Sequence, residues 1–491
     1  MSWILRLFGS LLLVGVWAPA AAAGPPCTAA DGVLAPAAAR HAVTIDRERI
    51  PYLATFEQHV LCDGEGKPLA TTSAIAYLRA DVAEHASRAV VFFFNGGPGA
   101  SSSPLHFGAV GPRLRSERDA DGRRSMADNP SSILDLADLV YLDPVGTGFS
   151  RPLPGGDGGP YWSNAGDAAA VLATIRAWLA GHEREGSPIV IVGQSYGGYR
   201  LARMMEHAGD LNLAALVLIS PALENPGAAS DLDHVFDLPT MAAAAWYHGR
   251  VEREGAASAA AWFDAAAEFA RTDYLVALFQ GAALPPDARE RLAARISGFI
   301  ALPPEFVLEH DLRVDSETFL QTLLAKEKRL VGRLDTRVTG PFPENPPPDR
   351  PAAANDPALG LGPTNVIAAP DIAEYLKDEL GVATDREYVS LTLDVNFRWD
   401  RSDPQSRPGA PGPARHIAAI LRKKPEVELV LVTGIYDLAV PTLAPLYSLH
   451  HANIPLERLT VARFPAGHSP YEGPEGRARF SRLLRGLLAT D

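Results

Sequence analysis

The stretch Ile189-Val190-Ile191-Val192-Gly193-Gln194-Ser195-Tyr196-Gly197-Gly198-Tyr199 organises the reading of the whole chain. Four apolar, β-branched residues run without a polar break into a Gly-flanked Ser, and a helical pattern extends from Tyr196 to His207. A short apolar run stopped by Gly fits a strand buried on both faces of a parallel sheet. A Ser on a tight turn between such a strand and a helix is the setting of a nucleophile elbow. The glycines leave room where side chains would collide, and the hydroxyl stands exposed near the positive end of the helix dipole. An ordinary strand–helix turn would explain G-x-S-x-G alone, but not the motif with both flanks. Ser195 is therefore the candidate nucleophile.

The same pattern recurs outward from this point. Apolar runs Ala89 to Phe94, Asp138 to Leu142, Ala214 to Ile219 and Val427 to Val432 each end at Gly, Pro, Asn or Asp. Between them lie helical patterns such as Val171, Leu172, Ile175, Trp178 and Leu179, with Ser163 or Asn164 placed to cap the start. Alternating runs within residues 40–80 predict an antiparallel lead-in of half-buried strands. Strand–helix alternation predicts a doubly wound α/β fold with a mostly parallel central sheet. Residues 222–426 break the rhythm: they are Ala-rich and helical in pattern, with a Pro-rich stretch from Gly340 to Pro363. They read as an inserted helical cap, which leaves 24–221 and 427–491 as the catalytic domain.

A Ser nucleophile needs a base, and on this kind of sheet the order is Ser, then Asp or Glu, then His. Val427 to Val432 leads to Gly434-Ile435-Tyr436-Asp437, and Leu459 to Phe464 leads to Pro465-Ala466-Gly467-His468. Asp437 and His468 thus follow successive strand ends, where ligands gather in open α/β sheets. His450 and His451 lie within a helical pattern and are weaker candidates. The developing oxyanion needs donors. Asn95-Gly96-Gly97-Pro98-Gly99 follows an early strand, so Gly97 and Tyr196 are assigned as the oxyanion hole. The glycines lack the Lys of a phosphate loop and the spacing of a dinucleotide fingerprint. Nucleophile, base and oxyanion donors are all protein groups, so no cofactor or metal is expected.

Composition narrows the remaining classes. The 491 residues hold 58 acidic and 45 basic side chains, a formal net charge of −13, which argues against a nucleic-acid partner. Only two Cys occur, too few for a Cys-built metal site or a disulfide scaffold. Residues 1–23 read as an export signal: Arg6, an apolar run from Leu7 to Trp17, then Ala21-Ala22-Ala23. The run is too short to span a bilayer of about 30 Å. Export, periplasmic or secreted, with cleavage near Ala23 is the expectation, without stable membrane insertion. It would bring Cys27 and Cys62 into an oxidising compartment, where a disulfide between them can form.

Five blocks together resemble the serine carboxypeptidase family, peptidase family S10. They are Phe92-Phe93-Phe94-Asn95-Gly96-Gly97-Pro98-Gly99-Ala100-Ser101-Ser102; Asp138 through Ser150, which includes Asp143-Pro144-Val145-Gly146-Thr147-Gly148-Phe149-Ser150; Gln194-Ser195-Tyr196-Gly197-Gly198-Tyr199; Gly434-Ile435-Tyr436-Asp437; and Ala466-Gly467-His468. The resemblance implies an α/β-hydrolase fold with a helical cap. It also implies removal of C-terminal residues from peptide or protein substrates through a Ser-His-Asp triad and an acyl-enzyme, often best at acidic pH. It places Asn95 and the residue before the nucleophile, Gln194, at the substrate's C-terminal carboxylate.

Several positions depart from the family pattern. Gln194 stands where Glu is usual, and Ser469 where Met follows the His. Gly111-Pro112 is preceded by Ala109 and Val110, so the second Glu of eukaryotic members is missing. Phe93 and Ala100 replace the usual Trp and Cys. An amide can donate to a carboxylate without first being protonated, so acid dependence should be weaker here. An exported esterase or acyltransferase on the same scaffold is the second reading, since an uncharged acyl substrate needs no carboxylate clamp.

Overall fold

The structure, a computed structural model, describes residue 27 and residues 31–489, apart from 118, 120, 224–229, 253–256, 345–349 and 403–411. The expected export signal lies outside the described residues.

Nine strands form one sheet. They are β1 (Ala37–Ile45), β2 (Glu48–Cys62), β3 (Pro68–Arg79), β4 (Val90–Phe94), β5 (Asp138–Asp143), β6 (Ile189–Gln194), β7 (Leu213–Ile219), β8 (Glu428–Gly434) and β9 (Leu459–Phe464). Their spatial order is β1-β2-β3-β5-β4-β6-β7-β8-β9. The first three pair antiparallel, and β3 meets β5 antiparallel. From β5 onward every pairing is parallel.

Side-chain alternation sorts the apolar runs onto two faces. Phe92, Ile191, Leu218 and Leu431 point to one hydrophobic core, and Phe93, Val192, Val217 and Val432 to the other. Helices α1 (Asn164–Gly181) and α2 (Tyr196–Met204) cover the first face. Ser163 caps α1 by accepting the Gly166 N–H, and Val171, Leu172, Ile175, Trp178 and Leu179 are all buried. Burying each such side chain contributes about 1.5–3 kcal/mol before entropy is counted.

The segment 222–426 divides by its packing. Helix α3 (Asp231–Tyr247) and the chain up to Val331 share a core of their own. By contrast α4 (Pro370–Asp378) and Tyr388 complete one face of the sheet, and α5 (Ala414–Lys423) completes the other. Only its first half is therefore separate from the sheet. The parallel part of the sheet is buried on both faces, and α4 and α5 supply part of that cover beside α6 (Gly473–Leu488), α1 and α2. A Cys27–Cys62 disulfide ties the start of the described chain to the end of β2.

Candidate active site

Ser195 follows β6 and precedes α2. Its backbone sits at φ 59° and ψ −128°, a conformation costly for any side-chain-bearing residue. Gly193 makes the turn possible: a Cβ there would lie 2.4 Å from the Gly197 carbonyl oxygen. The strain is held by the Ser195 N–H donating to Ile219 O (2.9 Å) and by Gly198 and Ala222 N–H groups donating to Ser195 O (2.8 and 3.2 Å).

The oxyanion loop leaves β4 and presses against this elbow. A Cβ on Gly96 would lie 2.4 Å from Tyr196 N and 2.6 Å from Gly197 N. Among the described residues, neither the Gly97 nor the Tyr196 N–H donates to an acceptor. Unpartnered donors beside a strained Ser are what a developing oxyanion requires. Arg200, 1% exposed, donates to Asn95 O (2.6 Å) and pairs with the buried Asp167 (2.6 Å). Asp143 Oδ1 accepts both the N–H and the hydroxyl of Ser102 (2.8 Å each), and Tyr388 donates to its other oxygen at 2.9 Å. Burial pushes the Asp143 carboxyl above its ordinary range, against the pull of those donors.

His468 and Asp437 come together on loops after β9 and β8. His468 Nδ1 lies 2.8 Å from Asp437 Oδ2, and Asp437 is fully buried. Asp437 Oδ1 accepts from the Ala439 and Val440 N–H groups, both at 3.0 Å. A carboxyl group that accepts from the ring at Nδ1 favours the tautomer with hydrogen there and leaves Nε2 available as a proton acceptor. His451, itself exposed, instead bonds Tyr447 O (2.8 Å) within its own helix.

Gln194 joins all three parts. Its Oε1 accepts from Asn95 Nδ2 and from the Tyr471 hydroxyl, both at 2.6 Å. Its Nε2 donates to His468 O (2.8 Å) and to Ser469 Oγ (3.1 Å). The two departures Gln194 and Ser469 are thus bonded to each other. Gln194 is 2% exposed and Asn95 5% exposed. With both hydrogens and both lone pairs of the amide engaged, a carboxylate reaching Gln194 would compete with the acceptors it now serves. Ala109 and Val110 are buried and apolar, so no carboxyl group reaches the site from there.

Sequence reasoning missed Arg200, Asp167, Tyr471 and the pinning role of Asp143. The strand-end position of Asp143 was the one available signal.

Among the described residues no cluster of His, Cys, Asp or Glu is placed to hold a metal ion, and no helix is long and apolar enough to cross a membrane.

The family model for serine carboxypeptidase matches residues 77–276. Serine carboxypeptidase-like 36 of Arabidopsis thaliana is 36% identical over 146 residues, 27% of this chain and 28% of that relative, so the match spans well under half of either protein. A prohormone-processing carboxypeptidase of Saccharomyces cerevisiae superposes with a TM-score of 0.53 at 14% identity, covering 89% of this chain and 90% of that one. The chain therefore has the α/β-hydrolase fold, and the part of it that carries the oxyanion loop and the Ser195 elbow resembles the serine carboxypeptidases.

Proposed function

We propose that the protein is an exported serine-type carboxypeptidase acting on the C-termini of peptides or proteins. The observation that carries this reading is the Asp437–His468 pair, whose loop is bonded by the residue immediately before Ser195. Ser195 Oγ attacks the scissile carbonyl carbon while His468 Nε2 takes its proton. The carbonyl oxygen becomes an oxyanion held by the Gly97 and Tyr196 N–H groups. His468 then protonates the leaving amine, the C–N bond breaks, and an ester on Ser195 remains. Water, deprotonated by the same imidazole, releases the acid and restores Ser195. Asp437 orients the ring and stabilises the imidazolium that forms.

In this reading Asn95 and Gln194 border the subsite for the substrate's C-terminal carboxylate, and residues of 222–426 cap the cleft. Cleavage near Ala23 would release the mature chain. The closed hydrogen bonding of Gln194 favours a second reading, an exported esterase or acyltransferase whose acyl substrate carries no carboxylate.

One set of assays separates them. A blocked dipeptide with a free C-terminus is compared with its C-terminal amide and with simple esters. Preference for the free acid supports the carboxypeptidase; turnover of esters alone supports the second reading. Ser195→Ala should abolish both turnover and fluorophosphonate labelling with the fold intact. A folded wild-type protein that takes no label would overturn both.

A further inference from the structure

Residues 333–336 belong to the inserted segment, more than a hundred positions from Ser195, yet they touch both loops of the acid–base pair. Leu334 O accepts the N–H of His468 at 2.7 Å, and Arg333 O accepts that of Leu438 at 3.0 Å. Tyr436 O, one residue before Asp437, accepts from Thr336 N (3.0 Å) and from Thr336 Oγ1 (3.2 Å). Arg333 Nη2 donates to Ala439 O at 3.3 Å, and Arg337 Nη1 to Pro465 O at 3.1 Å. The approach is close enough to require glycine opposite: a Cβ on Gly467 would lie 2.6 Å from both Leu334 O and Asp335 Cβ.

One carboxylate holds this strap in shape. Asp356, 8% exposed, accepts the Arg333 N–H (3.1 Å) and the Ala358 N–H (2.8 Å) on Oδ1 and the Leu334 N–H (2.8 Å) on Oδ2. Its hydrogen-bond partners are all backbone amides, so it orders the turn. Burial raises its carboxyl above the ordinary range, against those three N–H bonds.

We propose that residues 333–336 form a strap that sets the distance and angle between Asp437 and His468, with Asp356 as the positioning residue that holds it. The inference rests on the reading of Asp437 and His468 as the acid–base pair. A misplacement of about 1 Å in such a pair costs on the order of 10²-fold in rate, so a partial loosening should cost less.

The test compares Asp356→Ala and Asp356→Asn with wild type on the best substrate. Asp356→Ala should lower kcat about tenfold and leave KM within about twofold, with Asp356→Asn in between because it keeps one acceptor oxygen. The resonance of the His468 Nδ1 proton, followed by proton NMR, should broaden or shift in step. A folded Asp356→Ala with kcat within about twofold of wild type and an unmoved resonance would overturn the proposal. If that variant does not fold, Thr336→Val keeps the shape and deletes one bond to Tyr436 O. It should lower kcat about threefold at constant KM, and an unchanged kcat would equally overturn the strap. Wild-type protein that takes no fluorophosphonate label would instead fail the underlying reading of the triad.

Discussion

The two sides of Ser195 are held by different physics. The oxyanion side is pinned by buried charges that belong to the sheet body: Asp143 on Ser102, and the Arg200–Asp167 pair on Asn95. The base side is pinned by backbone bonds from the inserted strap, by the Arg333 and Arg337 guanidiniums on neighbouring carbonyls, and by the neutral amide of Gln194. A charge close to an imidazole shifts its protonation, so in the proposed mechanism the neutral Gln194 amide can hold the His468 backbone without adding to the effect of Asp437. A loop that only presents N–H groups carries no titratable function, and ionic pins there cost nothing of that kind. Around the oxyanion loop the pins are ionic, whereas the groups bonded directly to the His468 backbone are a neutral amide and a backbone carbonyl, with Asp437 the anion on its ring.

The most severe way to break the base side is Asp437→Asn. The amide would favour the wrong His468 tautomer, and turnover should fall on the order of 10³–10⁴-fold. Activity above about a tenth of wild type would show that another acid serves His468.

Gly96→Ala attacks the oxyanion side instead. Its Cβ would meet Tyr196 N at 2.4 Å, backbone against backbone, so the donors must move apart. We expect kcat to fall about 10²–10³-fold, with fluorophosphonate labelling slowed as well. A folded variant with near-normal kcat would show that the loop can yield without loss of the hole.

Gln194→Glu sharpens the contrast by putting a carboxyl group where a neutral amide now bonds His468 O. As a carboxylate it would face His468 O with no hydrogen to give, and burial would raise its pKa. Near pH 7.5 kcat/KM should drop about tenfold, and the deficit should shrink as the pH falls toward about 5 and the carboxyl protonates. A deficit that does not change with pH would contradict the neutral-pin account. So would a wild-type optimum below about pH 5 that survives Gln194→Ala.

Glu57 is a control remote from both sides. Burial would raise its carboxyl, but the hydrogen bond from His182 (3.1 Å) and the nearby His59 ring (3.4 Å) outweigh that and hold it at about 2, below the ordinary 4.5. Because the folded value is depressed, its stabilisation is present above about pH 4.5 and is lost as the pH falls toward about 2. Glu57→Gln should cost about 1 kcal/mol near pH 6 after allowance for solvent screening, and little near pH 2. Denaturant titrations at the two pH values would show this, with kcat unchanged throughout.

Much of the site was legible because it sits at strand ends. Ser195, Asp437 and His468 each follow an apolar run that a parallel sheet must bury, and the turn chemistry around them is local. The oxyanion loop announced itself through Gly96 and Gly97 for the same reason. Asp356, Tyr471 and Arg200 left no such trace. Tyr471 meets Gln194 across 277 positions, and Arg200 meets Asn95 across 105. Asp356 pins a turn that bonds His468 more than a hundred residues later. The even helical texture of 222–426 likewise concealed that α4 and α5 belong to the sheet's own faces.

Hydrophobic period, glycine placement and chain order were enough to establish the α/β sheet and the candidate nucleophile, acid and base, because each is set by the few residues around it. The arrangement that joins them came from the folded chain. The strap on His468, the closed Gln194 network and the ionic pins under the oxyanion loop are contacts between distant segments. Their energy depends on burial and on partners that no local window of the chain contains.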